Sequence, residues 1–166
     1  MTVGTQSGEF CFLGEHEYTL DKQRRLALPK DWRSDTPGSN HFFLLPGCGT
    51  SLQLVPGPMF QELLQKLRKV SFADAEASVA LATIGSMAQE VNCDSQGRFA
   101  LSPKLMSHAA ITDKVLLLGS VTTIQVWEPS MWHQHRMDSQ LGLKVMKALH
   151  ERPDDLTEVF RRAIKG

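Results

Sequence analysis

The sequence lacks long apolar runs, any surplus of charge and more than a few cysteines, and each shortage removes a class of protein. No apolar stretch approaches the ~20 residues that a membrane span requires, so no membrane role is expected. The opening MTVGTQSGEF has neither a basic start nor an apolar core. It does not read as a secretory signal, and the cytoplasm is the expected location. Cys11, Cys48 and Cys93 are odd in number and far apart, which reads as free buried thiols rather than a disulfide frame. Lys and Arg number 18 and Asp and Glu 18, giving zero formal charge, whereas a simple nucleic-acid binder usually carries a basic footprint. What is present is ordinary for a globular chain: 166 residues, 42% apolar and 22% charged, enough for one sizeable core or two small ones. The basic residues are nevertheless clustered. Lys22, Arg24, Arg25, Lys30 and Arg33 fall within twelve residues, against Asp21 and Asp31.

That cluster belongs to a stretch the chain writes twice. Leu20–Pro29, LDKQRRLALP, returns 73 positions later as Cys93–Ser102, CDSQGRFALS. Asp21 matches Asp94, Gln23 matches Gln96, Arg25 matches Arg98, and Ala27-Leu28 match Ala100-Leu101. Leu44-Leu45 fall on Leu117-Leu118 at the same offset, which then drops to 72 for Leu52-Gln53-Leu54 on Ile124-Gln125-Val126. One residue lost from the intervening loop accounts for the change. The period is too long for a solenoid and points to an ancient duplication, with two half-domains closing on each other.

Each copy reads as short strands followed by helix, an α+β class. Alternation of bulky and polar residues gives a strand over 15–20, a turn over Asp21–Arg24 and a second strand over 25–28, ended by Pro29. A helical turn is expected at 30–33. A hairpin follows, with strands at 41–45 and 51–55 about Pro46-Gly47-Cys48-Gly49. A helix with Met59, Phe60, Leu63, Leu64 and Leu67 on one stripe comes next, then an Ala-rich helix over 73–84 closed by Gly85-Ser86. The second copy repeats the order: strands at 87–93, 98–101, 114–118 and 123–127, with a helical turn near 103–108. Ser130 is the expected N-cap of one long helix to about Leu149, with Gly142 weakening its middle and Pro153 stopping it. Asp154-Asp155 open a last helix carrying Leu156, Val159, Phe160, Ala163 and Ile164 on one stripe.

Phe12–Asp21, FLGEHEYTLD, the following Arg25–Pro29 and the second Asp94-x-x-Gly97-Arg98 resemble MraZ proteins, of the AbrB/SpoVT-type swapped-hairpin group. The resemblance runs from about Phe12 to His150. It implies a double-split β-barrel of two pseudo-repeats: an arm over 1–11, AbrB-like halves over 12–84 and 85–152, and a C-terminal helix over 153–166. It also implies a transcriptional regulator, nucleoid-associated, that binds direct repeats upstream of the division and cell-wall gene cluster as a ring-shaped homo-oligomer. Carried over residue by residue, Asp21, Arg25, Asp94 and Arg98 fall on the family's DNA-binding motif. Three departures stand out. Arg24 occupies a place where the family commonly has Gly, as at Gly97, so the first turn either differs or gains a phosphate contact. The second helix, EASVALATIG, is Ala-rich where the family has more Arg and aromatics. Ser102 stands at the place of Pro29, with Pro103 one position later.

The residue types suit double-stranded DNA. Arg25 and Arg98 sit where a turn hands over to a strand, and an arginine can pair two donors with guanine O6 and N7. Lys22 and Arg24 are expected on phosphate. Asp21 and Asp94 are expected to hold the adjacent arginine in one rotamer or to cap the turn. Taken alone, one Asp–Arg pair could equally do no more than lock a β-turn. Nothing announces an enzyme, a cofactor, a metal or a small-molecule substrate. His133 and His135 at i, i+2 on a helix point apart, and Cys48 on its tight turn has no supporting His or Asp pattern. The fitting alternative is a scaffold of the same fold that does not read DNA.

Overall fold

A computed structural model describes residues 10–36, 38–151 and 156–165 of the chain. The expected arm up to residue 9, the stop at Pro153 and the opening at Asp154-Asp155 lie outside the described residues. So do the side chains of Leu156, Val159, Phe160 and Ala163 in the last helix. The described residues fall into two compact units, one ending at Met131 and one beginning at Trp132.

The first unit carries eight strands: β1 (Glu15–Thr19), β2 (Arg25–Ala27), β3 (His41–Pro46), β4 (Leu52–Pro56), β5 (Gln89–Asn92), β6 (Arg98–Ala100), β7 (Lys114–Gly119) and β8 (Ile124–Trp127). All pairings are antiparallel. Six strands form one sheet in the order β1-β7-β8-β4-β3-β5, and β2 and β6 form a separate ribbon. The class is α+β, as expected. The connectivity is interleaved. β1 pairs with β7 and β5 with β3, so the opening strand of each repeat completes the hairpin of the other. The ribbon centres on Leu26 opposite Phe99, and the β4–β8 pair on Gln53 opposite Gln125. These are equivalent positions of the two repeats, so an approximate two-fold axis passes through both pairs. The hairpin loops, Gly47–Ser51 and Ser120–Thr123, differ by the one residue that the change of offset required.

Period-two patterning explains the core. Phe42 and Leu44 of β3, Leu52 and Leu54 of β4, Val115 and Leu117 of β7, and Ile124 and Val126 of β8 point inward and are buried. Leu26 and Phe99 close this core from the ribbon. Trp32 ends a 3-10 turn at Lys30–Trp32, packs edge-on against Phe12 and donates its indole N–H to the Leu13 carbonyl at 3.2 Å. The helix α1 (Gly57–Leu67) starts two residues earlier than its apolar stripe, with Pro58 in its first turn, and stacks Phe60 on Phe43 at 3.9 Å.

Two elements differ from the sequence reading, the Ala-rich helix and the helix after β8, whereas the helical turn after β6 is as expected. The Ala-rich helix α2 (Ala75–Met87) starts after Asp74, whose carboxylate accepts from the Ala77 N–H at 2.9 Å, and it runs on through Gly85-Ser86. A short helix α3 (Pro103–His108) follows β6, capped by Ser102. The long helix expected over 130–149 is two: α4 (Pro129–His135) and α5 (Ser139–Glu151). Glu128, not Ser130, caps α4, accepting from the Met131 N–H at 3.0 Å and from the Ser130 hydroxyl. Asp138 caps α5 by accepting from the Leu141 N–H at 2.9 Å, so the chain is re-nucleated there, and Gly142 lies inside α5. In the second unit α5 packs against α6 (Leu156–Lys165), where Arg162 bonds Glu158 at 2.9 Å. The cysteines are free, as expected, but not buried: Cys11 and Cys48 are exposed and Cys93 is half-buried. Cys48 sits at a hairpin tip, and Cys11 points away from the side that buries Phe12.

Candidate functional site

The ribbon β2–β6 carries the residues singled out in the sequence. Arg25 pairs with Ala100 and Ala27 with Arg98. Directly paired residues share a face, and alternation puts Arg25, Ala27, Arg98 and Ala100 on the side opposite buried Leu26 and Phe99. Both arginines therefore face solvent, with side chains 32% and 39% exposed. The flanking alanines leave them standing clear. Diagonal partners of this kind have Cα atoms roughly 7–8 Å apart.

Each arginine is held by the aspartate that opens its turn. Asp21 Oδ1 accepts from the backbone N–H of Gln23 at 2.8 Å and of Arg25 at 2.9 Å, while Oδ2 accepts from Arg25 Nε at 2.8 Å. Asp94 repeats the pattern with Gln96 at 2.9 Å, Arg98 at 2.8 Å and Arg98 Nε at 2.8 Å. The carboxylate thus does both jobs considered from sequence, capping the turn and fixing the rotamer. The Arg25 N–H holds the Asp21 carboxyl below its usual 3.8, followed by the Arg25 side-chain and Gln23 bonds. The Arg98 N–H does the same for Asp94. Because only Nε is engaged, both terminal nitrogens of each guanidinium are without a partner among the described residues. They form a forked donor pair aimed away from the core.

The two turns match down to the backbone. Arg24 donates to the Asp21 carbonyl at 2.9 Å and Gly97 to the Asp94 carbonyl at 2.9 Å. The Arg24 carbonyl accepts from the Leu101 N–H at 3.0 Å and the Gly97 carbonyl from the Leu28 N–H at 2.9 Å, tying each turn to the far strand of the ribbon. Arg24 adopts φ +59° and Gly97 φ +75°. The first turn therefore keeps the shape of the second without glycine, at a cost of about 1–2 kcal/mol for a left-handed residue with a Cβ. Arg24 is exposed, and its Nε reaches the Leu101 carbonyl at 3.3 Å. Lys22 is exposed at the turn tip.

Sequence reasoning passed over Gln89 and counted Arg33 only in the basic cluster near the first turn. Gln89 clamps the end of β6, donating to the Ala100 carbonyl at 2.7 Å and accepting from the Ser102 N–H at 2.9 Å. Arg33 crosses from the first repeat to lie on Gly97. Beside them, burial pushes the Cys93 thiol up to about 11, with Asp94 adding and Arg33 opposing, so this cysteine is a poor nucleophile. No group of three metal-ligating side chains occurs among the described residues, and no helix among them is long and apolar enough to cross a membrane.

Comparison with known proteins agrees with the repeat. The MraZ protein family model matches residues 11–82 and again 85–145. A transcriptional regulator MraZ from Alkaliphilus metalliredigens is 29% identical over 131 residues, covering 79% of this chain and 90% of that protein. One from Herpetosiphon aurantiacus is 30% identical over 121 residues (73% and 83%), and one from Moorella thermoacetica 30% over 124 residues (75% and 85%).

Proposed function

The chain belongs to the MraZ family, and from that premise we propose that it is a sequence-specific DNA-binding transcriptional regulator. It recognises direct repeats upstream of its own operon, in the division and cell-wall gene cluster, as a ring-shaped homo-oligomer. The observation that carries this reading is the pair of dyad-related arginines on the outer face of the ribbon. Each is fixed through Nε and presents two open N–H groups. A two-stranded ribbon fits the major groove, and a forked arginine matches guanine O6 and N7, worth about 1–3 kcal/mol of discrimination per pair. Lys22 and Arg24 at the exposed tip take phosphate, which adds affinity without sequence information. Asp21 and Asp94 position the arginines and touch no DNA.

The repeats act as AbrB-like halves, 12–84 and 85–152, of a double-split barrel. The interleaved strand order supports that reading, because neither half completes its own sheet. Assembly is supported by α2, which buries none of its residues; Val79 and Ile84 are exposed on it and Phe72 just before it. A protomer with few cations gains from such assembly, because linked weak contacts on one DNA multiply without new interactions. No catalytic step, cofactor or small-molecule substrate is assigned, and the protein acts at the nucleoid in the cytoplasm.

A gel shift on the direct repeats upstream of the operon tests the proposal. The Arg25→Ala/Arg98→Ala double variant loses the shift while its oligomer mass is unchanged. Full binding by that variant overturns the site assignment. Zero net charge and the absence of any basic residue from α2 favour a second reading, a scaffold without DNA readout. Wild-type protein that gives no shift at low salt supports the scaffold.

A further inference from the structure

The two turns are alike in backbone and unlike in charge. The first reads Asp21-Lys22-Gln23-Arg24-Arg25 and the second Asp94-Ser95-Gln96-Gly97-Arg98, so the second turn lacks two cations that the first has. The fold supplies one of them from elsewhere. A Cβ built on Gly97 would fall 2.4 Å from Arg33 Cδ, 2.9 Å from its Nε and 3.1 Å from its Nη1. Arg33 therefore fills the space where a side chain at position 97 would start. The residue equivalent to Arg33 in the second repeat is Met106, which packs against the core and offers no charge to the first turn. One turn carries its guanidinium on its own backbone, at Arg24. The other receives one from the opposite repeat.

We propose that Arg33 is a DNA-phosphate ligand of the second turn, resting on the DNA-binding reading above: laid over Gly97, it does there what Arg24 does at the first turn. Arg33 Nε is buried and has no hydrogen-bond partner, and the guanidinium makes no ion pair among the described residues. That buried N–H is itself out of a ligand's reach, but the terminal nitrogens of the same guanidinium make no hydrogen bond among the described residues and can take the oxygens of an incoming anion. The space for it is present. A cleft of about 610 Å³ opens beside the turn, lined by Lys30, Arg33, Asn40, Asn92, Asp94 and Ser95. Asp94 makes no ion pair with Arg33 among the described residues; its oxygens accept from the Gln96 N–H, the Arg98 N–H and Arg98 Nε. Asp35, exposed at the same cleft, makes no ion pair with Arg33. Lys30, exposed on the 3-10 turn, adds a second cation.

The test is the salt dependence of binding to the upstream repeats for wild type, Arg33→Gln, Arg33→Lys and Arg98→Ala. Each neutralised phosphate contributes about 0.9 to the slope of log K against log salt. Arg33→Gln is expected to flatten that slope by about 0.9 per bound protomer. The affinity lost between about 50 and about 200 mM salt then shrinks about 3.5-fold per protomer. Preference for the operator over scrambled DNA is unchanged, and Arg33→Lys keeps the wild-type slope. Arg98→Ala instead lowers that preference. A wild-type slope in Arg33→Gln, alongside lost preference in Arg98→Ala, overturns the inference and leaves the DNA reading standing. Wild-type protein that does not bind overturns both. If Arg33→Gln fails to fold, the double variant Gly97→Arg/Arg33→Met, which installs the first turn's arrangement in the second, decides: a retained slope supports the inference and a flattened one overturns it.

Discussion

If Asp21 acts only by holding Arg25, removing the two together costs no more than removing Arg25 alone. The variant to make is Asp21→Asn, which keeps an acceptor for the Gln23 and Arg25 N–H groups but weakens the 2.8 Å charge-assisted bond to Nε. The pair is solvent-exposed, so its value to stability is small. Its value to binding is the rotamer freedom that Arg25 otherwise loses on meeting a base, about 0.5–1.5 kcal/mol for such a side chain. That corresponds to a loss of roughly 2- to 12-fold in the ratio of operator to non-specific affinity. Arg25→Ala removes the fork itself and costs about 1–3 kcal/mol, roughly 5- to 150-fold. The ratio is the proper readout, because losing a negative charge near phosphate raises non-specific binding. Fluorescence anisotropy on operator and scrambled duplexes, for both single variants and the double, gives the coupling. The double variant is expected to match Arg25→Ala. Additive losses would show that Asp21 has its own role at the DNA and would refute the positioning argument.

Asp21 and Asp94 have carboxyls held below their usual 3.8, so what they contribute is present above that value and lost as pH falls through their lower folded values. Side-chain carboxyl NMR titration should give both midpoints under 3.8, and a midpoint above it for either removes the buttress. Gly49→Ala, at φ +62° in open space, should cost about 1–2 kcal/mol in urea unfolding. Gly97→Ala, at φ +75°, should cost a similar ~1–2 kcal/mol, because the new Cβ meets only the far end of the flexible Arg33 side chain, which can swing aside; a markedly larger cost would show Arg33 held rigidly there. Val79→Asp with Ile84→Asp on α2 should reduce the sedimentation coefficient without unfolding the protomer, since both residues are exposed within it. An unchanged coefficient would exclude α2 as a subunit contact.

The local elements were readable because their signals are local. Alternation gave the hairpin strands within a residue or two, and Pro103–His108 was found as written because Ser102 and Pro103 are start signals side by side. Self-similarity gave the motif positions, since an Asp that bonds the residue two on and the residue four on constrains the whole turn. The helix after β8 was misread because Ser130 and Asp138 are both cap-forming types. Glu128 took the first role and Asp138 opened a second helix. The interleaving was not legible in detail. The same apolar pattern satisfies pairing within a repeat or across repeats, and only long-range packing decides between them. Arg33 had been counted in the basic cluster of the first turn. Its contact with Gly97, 64 residues later, exists only once the strands have exchanged partners.

On the DNA-binding proposal, the exchange of strands also bears on what kind of message this protein can read. Two identical polypeptides meeting on a dyad must offer identical fingers, and so they are confined to palindromes. Here the two partners are one molecule, joined through α1 and α2 between β4 and β5. Each can mutate without its twin, and arginine at 24 facing glycine at 97 is such a divergence. A reader built this way has a left and a right hand, so its target has a direction. Copies set along a duplex then all point the same way.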